Sequence, residues 1–212
     1  MHLVYQCTNP ECDLRFLLSD KEKKPVVCPR CKSHFQITKI AQDTSDSTKT
    51  SLFGRKRRIE VLLDNIRSTL NVGSIFRTAD GAGIQKIHIC GITPTPEHPK
   101  MIKTGLGAEW SVPWDYHSNG LRLALQEKQQ GFHLICLEIA PGSKSIFTSS
   151  ISKSEQPILL VLGNEVTGVD PEITAIADEI FHIPMLGYKK SLNVSVAFGI
   201  IAYQLMFAQV RI

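Results

Sequence analysis

No run of apolar residues in this 212-residue chain reaches the roughly 20 needed to span a bilayer. A membrane-crossing role is therefore not expected. The N-terminal stretch MHLVYQCTNPEC has no apolar signal-peptide core, so the expected location is cytoplasmic. The sequence has no G-x-x-x-x-G-K-[ST], which excludes a P-loop. Gly81-Ala82-Gly83 and Gly105-Leu106-Gly107 each lack a third glycine, and neither directly follows a strand-like run. A dinucleotide site of the G-x-G-x-x-G kind is excluded with them.

A hydrophobic content of 42% is enough for a packed core, and the length suits one ordinary domain plus something small. The net charge of +4 is unevenly placed. Residues 1–58 hold 12 Lys/Arg against 6 Asp/Glu, and residues 59–212 hold 12 against 14. Positive charge gathered at one end points to a polyanionic partner for that end.

Four of the six cysteines lie in residues 1–40, as Cys7-x4-Cys12 and Cys28-x2-Cys31. Phe16 comes four residues after Cys12, and Phe35 four after Cys31. In a cytosolic chain such pairs argue for metal and against disulfides. Two cysteine knuckles predict a four-thiolate structural zinc ribbon over 1–40, with His34 as an exposed neighbour. Forty residues bury little core, so metal would supply much of the folding free energy. Arg15, Lys21, Lys23, Lys24, Arg30 and Lys32 make this module basic, as a nucleic-acid contact or a protein contact. Residues 41–54 are polar and read as a flexible linker. Arg55-Lys56-Arg57-Arg58 follows and reads as a phosphate contact.

From residue 55 to 212 the pattern alternates. Strands are expected at 59–63, 86–90, 112–116, 132–139, 157–162 and 179–183. Helices are expected at 72–82, 120–130, 171–177 and 192–210. This is an α/β domain with a mainly parallel sheet.

Three loops at strand ends carry polar residues. In the first, Asn65 to Asp80, Asn71 reads as an N-cap and Gly73 allows close backbone approach. Arg77 sits among apolar neighbours there. Its partner is either a bound anion or an internal carboxylate, Asp80 or Glu165. The second loop, Leu162-Gly163-Asn164-Glu165-Val-Thr-Gly168-Val-Asp170, follows the most apolar strand, and Asp170 is expected to cap a helix beginning at Pro171. The third runs from Ile183 past Gly187 to Ser191, Asn193 and Ser195, with Ser191 as the expected N-cap of the last helix.

The three loops resemble the motifs of the SpoU/TrmH family of SPOUT-class RNA methyltransferases. The first is similar to that family's N-x5-N-x-G-x3-R, the second to its L-G-x-E-x-x-G, and the third to its C-terminal motif almost letter for letter. Residues 103–114 resemble the family's middle region. The resemblance covers about residues 58–210 and leaves out the cysteine module. It implies a C-terminal trefoil knot, S-adenosylmethionine bound in that knot, and a homodimer with a shared active site. The implied reaction is methylation of a ribose 2′-hydroxyl in tRNA or rRNA. The alternatives are a base-methylating SPOUT enzyme, or an RNA-binding protein of the same fold without turnover. By matching position, Arg77 is the implied central catalytic residue. Asn71, Glu165, Ser191 and Asn193 are implied to hold ribose, phosphate or Arg77. Leu162, Gly163, Asn164, Ile183, Met185, Gly187 and Leu192 are the implied cofactor contacts.

Overall fold

A computed structural model describes residues 2–19, 21–41, 57–101, 105, 107–148 and 156–207. The chain divides into two compact units, Met1–Gly54 and Arg55–Ile212. The expected linker beyond residue 41, Arg55 and Lys56, residues 103, 104 and 106 of the middle motif, and positions 208–210 of the last helix lie outside the described residues.

The first unit is a three-stranded antiparallel sheet. Strand β1 (His2–Cys7) runs between β2 (Arg15–Ser19) and β3 (Phe35–Ala41). Tyr5 is paired with Phe16 in register, and its ring stacks on Phe16 at 5.7 Å between centroids. Phe35 meets both rings edge-on, at 5.7 and 5.2 Å. The two phenylalanines that echo the cysteine pairs thus close one small aromatic core around Tyr5.

The second unit holds seven parallel strands: β4 (Ile59–Asp64), β5 (Lys86–Cys90), β6 (Trp114–His117), β7 (His133–Leu137), β8 (Lys144–Ser145), β9 (Ile158–Leu162) and β10 (Glu179–His182). Their order across the sheet is β6-β5-β4-β9-β7-β10-β8. Helices α1 (Thr69–Ala82) and α4 (Val194–Phe207) cover one face, and α2 (Gly120–Gln129) and α3 (Pro171–Ile176) the other. Central strands β4 and β9 are buried on both faces, which explains their unbroken apolar character. Along them the side chains alternate. Val61, Leu63, Leu160 and Leu162 pack with Ile75, Phe76, Phe198 and Ile201. Leu62, Leu159 and Val161 pack with Leu123 and Ile173.

Two expected caps are corrected. Helix α1 starts earlier than residue 72, and its N-cap is Ser68, whose hydroxyl accepts from the Asn71 amide. Asn71 lies inside the first turn, so its side chain is free to reach another loop. Helix α4 starts at Val194, so Ser191 is two residues too early to cap it. Asn193 takes that place: its Oδ1 accepts from the Ser195 amide at 2.9 Å and its carbonyl from the Ala197 amide. Asp170 does cap α3, accepting from the Glu172 amide at 2.8 Å ahead of Pro171.

The described half of the basic cluster, Arg57 and Arg58, is engaged within this unit. Arg57 is buried and donates to the Gln156 carbonyl at 2.7 Å. Arg58 pairs with buried Glu60 at 2.5 Å and lies over the Phe132 ring. Arg57 thus serves the fold of this unit, whereas the Arg58 side chain stays 60% exposed.

Candidate functional site

Parallel strands bring their C-terminal ends to one edge of a sheet, and ligands of α/β proteins collect there. The loops that leave β4, β7, β9 and β10 meet at that edge. Those after β7, β9 and β10 enclose a cleft of about 290 Å³. Leu137, Leu162, Ile183, Leu192, Val194 and Ala197 form its apolar walls, and Glu138, Glu165, His182, Ser191 and Asn193 contribute polar groups.

A chain of hydrogen bonds ties three loops together beside the cleft. Asn193 Nδ2 donates to Asn71 Oδ1 at 2.9 Å, and Asn71 Nδ2 donates to Glu165 Oε1 at 2.7 Å. Glu165 also accepts from the backbone amides of Arg67 and Ser68, at 2.9 and 3.1 Å. The carboxylate therefore sits on the amides at the start of α1, where the helix dipole favours negative charge. Partial burial opposes its ionisation. The Arg67 amide and its companions outweigh that and hold the carboxyl below the usual glutamate range.

The 163–170 loop is built around two constraints. A Cβ on Gly163 would stand 2.2 Å from the backbone of Gly168 and Val169, so no larger residue fits. Asn164 and Gly168 exchange both backbone hydrogen bonds at 3.0 Å, and Gly168 has φ +74°. The Asn164 side chain accepts from the amides of Val166 and Thr167 and donates to the Asn65 carbonyl at 2.7 Å. Its polar atoms hold the loop's shape, and only its surface reaches the cleft.

Of the implied cofactor contacts, Leu162, Gly163, Asn164, Ile183 and Leu192 line the cleft, whereas Met185 and Gly187 do not. Glu165, Ser191 and Asn193 line it as well, and Asn71 touches it through Glu165 and Asn193. Arg77 stands apart, exposed on α1 and outside the cleft lining. Neither internal carboxylate pairs with it. Asp80 Oδ1 accepts from the Ser111 hydroxyl at 2.8 Å, and Glu165 is occupied as described. Among the described residues the Arg77 side chain makes no hydrogen bond or ion pair.

Sequence reasoning missed Glu138 and His182. Glu138 follows β7 and accepts from the amides of Ile139 and Val169, both at 2.9 Å, bracing the wall of the cleft. His182 Nδ1 lies 2.9 Å from the Ser143 hydroxyl. The only sequence signal for Glu138 was a carboxylate placed directly after a buried strand.

In the first unit the four cysteine sulfurs lie within 4.8 Å of one another. Cys7 and Cys31 are 3.4 Å apart, and Cys12 and Cys28 3.8 Å. Sulfurs bound tetrahedrally at about 2.3 Å would be separated by about 3.8 Å, so the donor set fits one zinc-sized ion. The residue after each knuckle, Asp13 and Lys32, has positive φ, so the two half-units turn alike. His34 is exposed and outside the cluster.

Residues 58–203 match the model of the SpoU rRNA Methylase family, and residues 1–57 fall outside that match. The chain is 33% identical over 154 residues to a tRNA (guanosine(18)-2′-O)-methyltransferase of Aquifex aeolicus, covering 71% of this chain and 69% of that protein. It is 30% identical to a 23S rRNA (guanosine-2′-O-)-methyltransferase of Vibrio parahaemolyticus, covering 68% of this chain and 57% of that one. Among solved structures, the AdoMet-bound rRNA methyltransferase of Sinorhizobium meliloti aligns with a TM-score of 0.67 at 28% identity, over 73% of this chain and 57% of its own.

Proposed function

The chain belongs to the SpoU rRNA methylase family, and from that premise we propose that it methylates a ribose 2′-hydroxyl of tRNA or rRNA with S-adenosylmethionine. The observation that carries this reading is the Asn193–Asn71–Glu165 bridge at the mouth of the cleft. It gathers side chains from three loops into one constellation where a ligand is expected.

The donor set of the cleft suits the cofactor. Apolar walls accept an adenine ring, and Glu138 and Glu165 suit sugar hydroxyls and a cationic sulfonium. S-adenosylmethionine supplies an already electrophilic methyl group, so the protein's task is chiefly alignment. The main chain at Gly163, Ile183 and Leu192 offers donors and acceptors for the adenosine. Glu165 and Asn71 fix the α1 start, and Asn193 ties the last loop to it. A guanidinium stays protonated at neutral pH, so Arg77 acts as a clamp on the phosphate beside the target ribose and as a stabiliser of the developing alkoxide.

The working form in this reading is a homodimer. Helix α4 is nearly all apolar, yet Val196, Tyr203 and Phe207 are 52, 46 and 42% exposed. On α1, Leu70 is 61% exposed. A second copy covering this face would remove that surface from water and bring an exposed Arg77 toward the partner's cleft. The last strands are read as a trefoil knot. Strand β10 inserts between β7 and β8 although β9, which follows β8 in the chain, lies on the far side of β7. The four cysteines are read as a structural zinc ribbon whose exposed Arg15, Lys21, Lys23, Lys24, Arg30 and Lys32 contact RNA.

The test is transfer of labelled methyl from S-adenosylmethionine into total RNA, followed by nucleoside analysis. Label in a 2′-O-methylated nucleoside supports the proposal. Label only in a base indicates the base-methylating alternative. No label, together with retained RNA binding, indicates a fold that has lost turnover.

A further inference from the structure

A second cluster of metal-type ligands stands on the β6 edge of the sheet, away from the cleft. His88 lies in the middle of β5, and Asp115 and His117 lie two apart on β6. The parallel register pairs His88 with Asp115 and Cys90 with His117. Residues two apart on a strand share a face, so all three side chains rise from one side of neighbouring strands.

Their inner atoms converge. Asp115 Oδ1 is 2.9 Å from His88 Nδ1 and 2.9 Å from His117 Nε2. The two ring nitrogens are 3.3 Å apart. A triangle with these edges has a circumradius of about 1.8 Å, so a cation about 2.0–2.1 Å from all three donors would rest about 1 Å off their plane. The outer atoms are tied down. His88 Nε2 is 2.7 Å from Glu60 Oε2, and both side chains are 2% exposed. Glu60 is held in turn by Arg58 at 2.5 Å, and Asp115 Oδ2 by Lys86 at 2.7 Å. A carboxylate behind a ligating imidazole is the usual outer support of a metal site.

The hydrogen count leads the same way. In the tautomer that donates Nε2–H to Glu60, His88 turns a lone pair at Nδ1 toward Asp115 Oδ1, which is itself an acceptor. Asp115 Oδ1 is buried and makes no well-aligned hydrogen bond. Two facing lone pairs need a proton or a cation between them.

We propose that His88, Asp115 and His117 bind a divalent transition-metal ion of the zinc class. Two imidazoles and one carboxylate suit zinc and disfavour magnesium or calcium, which prefer all-oxygen shells. Asp115 and His117 are 38 and 30% exposed, which leaves an entry path and room for a water ligand. Among the described residues β6 pairs with β5 alone, so the ion fastens the edge strand to its neighbour through side chains. This site rests on different residues from the cysteine cluster and does not depend on the methyl-transfer reading.

The test uses the full chain. Wild-type protein loaded with ¹¹³Cd should give a resonance in the nitrogen/oxygen range besides any sulfur-range signal. Zinc content after gel filtration should fall by one equivalent per chain in His117→Ala and in Asp115→Asn, both partly exposed positions. Thiolate charge-transfer absorption of the cobalt-loaded protein should be unchanged in these variants. A sulfur-range cadmium signal alone in the wild type, or equal zinc in wild type and both folded variants, overturns the proposal. Either result assigns the cluster to a proton held between His88 and its carboxylates.

Discussion

Asn71 and Asn193 lie 122 positions apart in the chain, and their side-chain amides meet at 2.9 Å. The contact joins the first turn of α1 to the cap of α4, and through Glu165 it reaches the loop after β9. Asn193→Ala removes both the bridge and the cap. The expected cost is about 1–2 kcal/mol by denaturant titration, with weaker methyl transfer. Asn71→Ala leaves the cap intact, so it should cost less stability while lowering methyl transfer. Equal losses of stability in the two variants would contradict the cap assignment.

Glu165 offers a pH test. Its carboxyl is held below the usual glutamate range in the folded chain. A depressed folded pKa stabilises at pH above the unfolded value of about 4.3 and stops doing so as pH falls through the folded value. Glu165→Gln places an NH₂ against the amides of Arg67 or Ser68. The stability gap between wild type and variant should be widest near pH 7 and close as pH falls below the unfolded value and through the folded one. Urea unfolding at several pH values measures it, and a gap that stays constant with pH would refute the assignment.

Gly163→Ala should be poorly tolerated. The added methyl would stand 2.2 Å from backbone atoms of Gly168 and Val169, and backbone cannot swing aside as a flexible side chain can. Overpacking of this kind costs about 1–3 kcal/mol. It should also distort the wall of the cleft, so S-adenosylmethionine affinity, measured by calorimetry, should fall with stability. Gly187→Ala is the control: nothing lies within 4 Å of its added Cβ, and neither quantity should change much.

Arg77 should behave in the opposite way. It is exposed and has no hydrogen bond or ion pair among the described residues, so Arg77→Ala should shift stability by no more than about 0.5 kcal/mol. Methyl transfer should nonetheless drop by orders of magnitude. Arg77→Lys keeps the charge and loses the planar fork. Near-full activity for Lys would rule out a bidentate clamp.

Much of the second unit is legible from residue pattern because local physics writes it. The all-apolar run of β9 predicts a strand buried on both faces. The Asp170-Pro171 pair predicts the start of α3, and a helix cap is indeed there. Starts of the other two loop-borne helices were misplaced for a local reason as well. In each case several residues within one turn can cap: at α4 Asn193 caps through Oδ1 while its Nδ2 reaches Asn71, and at α1 the cap falls to the residue whose side chain no other loop claims. Ser68 caps α1 while Asn71 turns to Glu165. The basic run ending in Arg57 and Arg58 reads as a phosphate contact, yet Arg57 is buried against the Gln156 carbonyl and Arg58 is engaged by Glu60 and the Phe132 ring.

By itself the amino-acid order determined which segments bury themselves, where glycine must stand and which four sulfurs come in two knuckles. Those properties depend on neighbours a few residues away. Only the tertiary structure decided that Asn71, Glu165 and Asn193 bond one another, that Glu138 braces the cleft, and that His88 faces Asp115 and His117. The last meeting follows from parallel register across the sheet, and the others from loops that leave strand ends at one edge; both bring together residues tens of positions apart and leave no mark in their spacing.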